Sequence, residues 1–390
     1  MGLLATLLAA LAMIGPFTID TYLPSFPAIQ ADLRVSSMQM QQTLSVYLLG
    51  FAVMTLFHGT ISDSFGRRPV ILSNLLVFVL ASAGCALAAS FEQLLFFRAI
   101  QGLSAGSGIV IGRAIIRDSF EGHAAQRLMS LVTMIFGVAP AVAPVIGGWM
   151  QAGFGWRSIF FFLMIFGAVL LLACHLRLPE TLPLQQRQPF ALAPLARNYW
   201  KLGRSLPLFL LSSAVAFNFC GFFLYIVSAP AFVYDLLHLS ETEFAWLFVP
   251  GIVGVTLGAY LSGRLAGKLP PRKTVNVGYL VIFSAVAFNL AYSAVFPPAL
   301  PWSVLPVMIY AAGMSLAMPS ITLLALELFP LNRGLTSSLQ GFEHAFLSSI
   351  VAGVVAPLLS HSALTLASGM AILAAIGWWS WMLYVLLDFD

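Results

Sequence analysis

Apolar residues in this chain come in long runs, each close to the ~20 residues a helix needs to cross the hydrocarbon of a bilayer. The runs lie near 3–23, 38–61, 70–90, 93–113, 128–151 and 157–177. They resume near 206–230, 243–263, 275–296, 302–326, 335–359 and 362–387. The pattern predicts twelve membrane-spanning helices, with Pro297, Pro298 and Pro301 blurring the junction of the ninth and tenth. Between the sixth and seventh runs lies one long polar stretch, 179–205, carrying Pro179, Pro183, Pro189 and Pro194. It divides the chain into an N-terminal six-helix half, 1–178, and a C-terminal six-helix half, 206–390.

Composition agrees with the pattern. The chain is 60% hydrophobic and 8% charged, with a mean hydropathy of +0.95, whereas soluble domains carry about 25% charged residues. The expected solvent is lipid. The net charge of +4 does not point to nucleic acid, because the basic residues sit in short loops and form no patch. Those loops set the orientation: 15 of the 18 Lys and Arg residues fall on one side, leaving Arg34 and Arg157 on the other and Arg98 inside the fourth span. By the excess of basic residues in cytoplasmic loops, both termini are expected to be cytoplasmic. Cys85, Cys174 and Cys220 all lie in apolar runs and read as small hydrophobes. Met1-Gly2-Leu3-Leu4-Ala5-Thr6 matches an acylation pattern. It runs straight into apolar sequence without the basic region of a cleaved signal, and is read as the first span.

The two halves carry a weak repeat. Gly59-x-x-x-Asp63-x-x-Gly66-Arg67-Arg68 recurs 204 residues later as Gly263-x-x-x-Gly267-x-x-Pro270-Pro271-Arg272, and Arg127 has a counterpart in Arg333. Two halves in the same topology predict a transporter built of parallel repeats, with its binding site between them near the midplane.

Several motifs carry more specific chemistry. The turn ending span two, from Gly59 through Asp63 and Gly66 to Arg67 and Arg68, puts an acid and two bases at the cytoplasmic face, where the carboxylate can meet an incoming helix N-terminus. Arg98-x-x-Gln101-Gly102 lies inside span four. Span five carries Ala139-Pro140 and Ala143-Pro144-Val145-Ile146-Gly147-Gly148, span one ends Asp20-x-Tyr22-Leu23-Pro24, and span six opens Trp156-Arg157-x-x-Phe160. Over nearly its whole length the chain resembles the major facilitator superfamily, and within it the bicyclomycin/chloramphenicol-resistance branch of the drug:proton antiporters. It departs from the usual antiporter motif at Ala143, where many members have glycine. The resemblance implies a bacterial inner-membrane protein, monomeric, that exchanges a small-molecule substrate for protons by alternating access. It also implies a conformational switch built from Gly59, Asp63, Gly66, Arg67, Arg68 and Arg117, with Pro140, Pro144, Gly147 and Gly148 in span five.

Charges left inside the spans locate the coupling. An acid within a membrane helix is costly and functional by default. Asp20 is therefore the leading candidate for carrying the proton, neutral in one access state and ionised in the other. The alternative is that it only marks the end of span one, a turn before Pro24. Arg98 stays protonated and needs an acid, a substrate dipole or backbone carbonyls. In the resembled antiporters this arginine is implicated in proton transfer, and the alternative is interfacial snorkelling. Glu343, beside His344 in span eleven, reads equally as a second titrating or cation-binding acid and as a structural partner of Arg333 or the span-two turn. Aromatic and amide side chains suited to flat, partly apolar ligands are Tyr22, Tyr47, Gln101, Phe217, Asn218, Tyr225 and Gln340. His58 reads as a packing residue, and Gly102-x-x-x-Gly106-x-Gly108 as close helix packing rather than a nucleotide loop. Walker, zinc-ligand and nucleophile-elbow motifs are absent from the sequence. The expectation is a transporter and not an enzyme, with no cofactor and no metal, exporting drugs or, alternatively, one metabolite or siderophore.

Overall fold

The computed structural model describes residues 2–387 and, among them, consists of helices joined by short connections. Met1, which opens the acylation-like pattern, and residues 388–390 of the C-terminal half lie outside the described residues. The chain divides into two compact units, Met1–Leu192 and Ala193–Asp390. In the first, the helices are α1 (Gly2–Asp20), α2 (Phe26–Leu33), α3 (Ser37–Thr55), α4 (His58–Phe65), α5 (Arg67–Ala86), α6 (Phe91–Ala105), α7 (Ser107–Ser119), α8 (Gly122–Phe154) and α9 (Arg157–Arg177). Then come α10 (Leu192–Gly203), α11 (Leu206–Val227), α12 (Ala245–Leu265), α13 (Pro271–Val295), α14 (Leu305–Glu327), α15 (Arg333–Ile350), α16 (Ala356–Leu359) and α17 (Ala363–Leu386).

Eleven helical stretches are long and apolar enough to cross a membrane, and a twelfth is counted if the bent pair α3–α4 is one span. The all-helical architecture expected from the sequence is therefore the observed one. Three of its elements differ in ways that matter.

Span one does not stop at Leu23. It continues through a short 3-10 turn, Leu23–Ser25, into α2, so the whole span runs Leu4–Leu33. Pro24 and Pro27 sit in the first turns of these segments, where the missing N–H has no intrahelical partner to lose. Proline here restarts the helix rather than ending it. Span two, expected as one run, is instead broken after Thr55 and bent by 48°. Leu56 and Phe57 take tightened bonds to Val53 and Met54 before the ladder resumes at Ile61. Hydropathy cannot register that change, because the bend comes from hydrogen-bond spacing. The polar stretch between the halves contains α10, with Leu195 and Leu202 buried and Arg197 and Lys201 exposed. Pro194 argues locally for a loop, but it lies in the first turn of that helix, where it is tolerated.

Within the first unit α1 packs on α7, α8 and α9, α3 on α6, and α5 on α6 and α9. Within the second, α14 packs on α12 and α13, and α11 on α14, α15 and α17. Cys85, Cys174 and Cys220 are buried, unbridged core residues.

Candidate functional site

The interior of the first unit is organised around Arg98. This side chain projects from α6 and is fully buried. Its Nη1 donates to the Thr18 carbonyl at 3.2 Å and to Oε1 of Gln101, one turn on, at 2.9 Å. The guanidinium lies between two rings, 4.8 Å from the centroid of Tyr22 and 4.5 Å from that of Tyr47. The rings supply what a desolvated cation lacks in an apolar interior, the negative faces of π systems. Each member is held in turn. Tyr22 Oη and Thr43 Oγ1 are 2.9 Å apart, and Gln101 Nε2 donates to Ser82 Oγ at 2.8 Å. Gly102 makes the arrangement possible: a Cβ there would overlap the Tyr47 carbonyl, so α6 and α3 meet backbone to backbone.

Asp20 closes α1 in the same unit and is only 4% exposed. It takes no hydrogen bond and no ion pair among the described residues, and Arg98 holds the carbonyl two residues before it instead. The helical stretch that carries Asp20 runs Leu4–Leu33, with Asp20 near its middle. Arg98 keeps its Nε and Nη2 donors without a hydrogen-bond partner.

The span-five motif packs against the C-terminal end of α1 and the turn that follows it. The helix runs unbroken through Pro140 and Pro144. Ala143, Pro144, Gly147 and Gly148 are buried, and a Cβ on Gly147 would overlap the Thr21 carbonyl. Gln151 Oε1 then accepts from Ser25 Oγ at 2.8 Å. At the far end of span one, Asp32 accepts from Arg157 at 2.7 Å and from Trp156 Nε1 at 3.1 Å, so the Trp-Arg pair opening span six anchors it.

At the other end of the unit lies the motif turn. Arg67, 3% exposed, donates to Ser62, Asp63 and Asp118. Arg68 donates to the His175 carbonyl at 2.7 Å. Gly66 turns the chain with φ +101, a region that favours glycine. The backbone N–H groups of Arg67 and Arg68, at the start of α5, donate to Glu180 at 3.0 and 3.3 Å. Gly59 is half-buried beside the buried His58, whose Nε2 meets Asn74 Oδ1 at 3.2 Å. Arg117, expected in the switch, is exposed, and its neighbour Asp118 makes the contact with Arg67.

The interior of the second unit is built largely from amide–phenol pairs. Asn218 Nδ2 donates to Tyr279 Oη at 2.9 Å, and Tyr310 Oη donates to the Asn218 carbonyl at 3.0 Å. Asn289 Nδ2 donates to Tyr225 Oη at 2.8 Å. Glu343 is half-buried and accepts from Ser213 Oγ of α11 at 2.6 Å, and His344 lies against Phe219 with ring centroids 4.1 Å apart. Among the described residues of its own unit Glu343 thus bonds Ser213 and not Arg333. Phe217 and Gln340 are half-buried, with Gln340 Nε2 unbonded. Of the residues expected to touch substrate, Tyr22, Tyr47, Gln101, Asn218 and Tyr225 are essentially without exposed surface and bond or stack among themselves or with neighbours in the same unit.

Sequence reasoning passes over Thr18, Ser82, Asp118, Glu180, Ser213, Tyr279, Asn289 and Tyr310. Asn289 carries a signal, a lone amide in the middle of an apolar run. Thr18 contributes a backbone carbonyl, which no residue type announces.

The sequence profile described as the Major Facilitator Superfamily matches residues 5–353. The chain belongs to this superfamily. Among its relatives, the Bacillus subtilis protein named uncharacterized MFS-type transporter YdgK is 34% identical over 90% of this chain and 88% of its own. The bicyclomycin resistance protein homolog of Haemophilus influenzae is 30% identical over 71% and 69%, and the multidrug resistance protein MdtL of Escherichia coli 30% over 87% and 85%. Among solved structures, a bacterial homolog of the human lysosomal transporter Spinster aligns with TM-score 0.72 at 18% identity, covering 98% of this chain and 95% of that one. At that identity the likeness concerns fold alone. Relatives and family make this major facilitator chain a multi-pass membrane transporter of bacterial type.

Proposed function

We propose that the protein is a proton-coupled antiporter that exports small, partly apolar molecules, drugs among them, across the bacterial cytoplasmic membrane by alternating access. It acts as a monomer with both termini cytoplasmic, and it moves its substrate without chemical change. The observation that carries the proposal is Asp20: a nearly buried carboxyl, unpaired among the described residues, near the middle of a span and two residues from the carbonyl that holds Arg98. An ionised carboxylate in that setting is costly, whereas a protonated one is not. Arg98 has two unbonded donors with which to receive it once the proton leaves. The protonation state of Asp20 would thereby select which partner Arg98 holds, Thr18 or Asp20, and with it the conformation of span one. A proton and a substrate that prefer opposite states are coupled by that difference in affinity. The names of the Haemophilus and Escherichia relatives support drugs as the substrate class.

The test is transport in proteoliposomes under an imposed pH gradient, with a panel of apolar antibiotics and proton flux read together. Asp20→Asn is expected to reconstitute and bind substrate normally but to stop responding to the gradient, and Asp20→Glu to keep a response. An unchanged gradient response in Asp20→Asn would sink the assignment.

A further inference from the structure

The two copies of the motif turn differ in a way that leaves a hole in one of them. In the first unit Asp63 and the Arg67 guanidinium fill the end of the bundle, and Glu180 lies against the start of α5. In the second unit the repeat puts Gly267 at the position of Asp63 and Pro271 at that of Arg67. Glycine has no side chain and proline only its ring, and an open groove of about 730 Å³ lies between α12, α13 and α14. Its walls are largely apolar, with Ala259, Leu269 and Leu323 among them, while Ser262, Ser320 and Lys268 add polar groups. Ser262 is 8% exposed, and its hydroxyl has no partner among the described residues. Lys268 is exposed and has no ion pair among the described residues.

Basic residues cluster in the stretch of chain beside the cavity. Arg264, Lys268, Arg272 and Lys273 fall within ten residues, and no Asp or Glu occurs between Glu243 and Glu327. Glu327 is exposed and one turn beyond Leu323, outside the lining. Arg264 lies over the ring of Tyr260, 5.2 Å from its centroid, and Tyr260 is 56% exposed. A tyrosine–arginine pair of that kind marks headgroup depth in a bilayer. Above it, Trp246, Val249, Val253 and Leu257 expose an apolar stripe along α12.

We propose that this cavity is a binding site for an anionic phospholipid of the leaflet it faces. The phosphate would sit between Lys268 and the Ser262 hydroxyl, and the glycerol and first methylenes would follow the apolar wall toward the exposed stripe of α12. A volume of several hundred Å³ suits an amphiphile rather than a lone ion, and basic pockets between membrane helices recognise acidic headgroups. In the first unit the equivalent turn needs no such ligand, because Asp63, Asp118 and Glu180 supply the negative charge from the chain itself.

Native mass spectrometry of the full chain released from nanodiscs tests this, using equal phosphatidylglycerol and phosphatidylcholine. The expected result is retention of one phosphatidylglycerol in preference to phosphatidylcholine. Lys268→Gln should weaken that preference about fivefold, as expected for one basic residue at a membrane surface, and Ala266→Phe, which fills the cavity, should abolish it. Lys201→Gln, a basic residue on α10, should leave it unchanged. Equal retention of the two lipids, an unaltered preference in Lys268→Gln with an unchanged melting profile, or displacement of the lipid by millimolar inorganic phosphate would each overturn the proposal.

Discussion

The two units have the same span order and opposite interiors. The first buries a cation and an acid, Arg98 and Asp20, and holds the cation with a carbonyl, an amide and two rings. The second pairs asparagines with tyrosines, Asn218 with Tyr279 and Asn289 with Tyr225, and has Glu343 bonded to a serine. Both devices satisfy polar groups in an apolar medium, where an unmet donor or acceptor is expensive. Only the first includes, among the described residues, a nearly buried carboxyl left unbonded and a buried cation with unbonded donors. In each amide–phenol pair the asparagine amide donates to the tyrosine hydroxyl. The Arg98 guanidinium keeps two donors unbonded. In the proposed function the first unit senses the proton and the second gives a rigid reference.

That contrast can be broken at several points. Arg98→Lys keeps the charge but replaces a planar fork with a compact, strongly hydrated ammonium, which cannot hold the Thr18 carbonyl and Gln101 while lying between two rings. A buried charge without its partners costs about 2.5–3.5 kcal/mol, so gradient-driven transport is expected to fall roughly a hundredfold, measured in proteoliposomes against matched binding data. Gly147→Val pushes a side chain into the Thr21 carbonyl. Overpacking of this kind costs about 1–3 kcal/mol, to be read as a lower thermal midpoint, together with weakened transport because span one is displaced at its bend. Asn289→Leu strands the Tyr225 hydroxyl, at about 1–3 kcal/mol for an unsatisfied buried group. Its stability should drop while the pH dependence of transport stays as in the parent, and a shifted pH profile would erase the division of labour between the units. The smallest effect is expected from Glu343→Gln, which leaves an acceptor for Ser213. The net change should be about 0.5–1.5 kcal/mol, and the gradient response for neutral substrates should be intact. Loss of that response would move proton coupling into the second unit as well.

Much of the fold is legible in the pattern of apolar residues. The twelve runs correspond to eleven candidate spans and the bent pair α3–α4, because the requirement that a lipid-embedded backbone bond itself leaves the helix as the only open choice for such runs. Arg98, Asp20 and the glycines of spans four and five stand out because each breaks the composition of its run at an energetic cost. Less legible are the places where geometry, not residue type, decides. Pro24 reads locally as a stop, yet it restarts span one at Leu23–Ser25, and this moves Asp20 from an end to the middle. The bend after Thr55 goes with two i→i−3 hydrogen bonds in an otherwise apolar run. Glu180 and Asp118 lie more than 50 residues from the arginine turn they neutralise.

Apolar patterning alone was enough for the all-helical membrane architecture, since transfer into hydrocarbon is set residue by residue and needs no knowledge of neighbours. Tertiary structure alone decided the partners: that Arg98 rests on a carbonyl and two rings rather than on Asp20, and that Glu343 meets Ser213 rather than a base. It also decided that one copy of the repeated turn is ion-paired while the other borders an open groove. Partnering depends on distances between helices remote in sequence, and those are set by where glycines such as Gly102 and Gly147 let backbones touch.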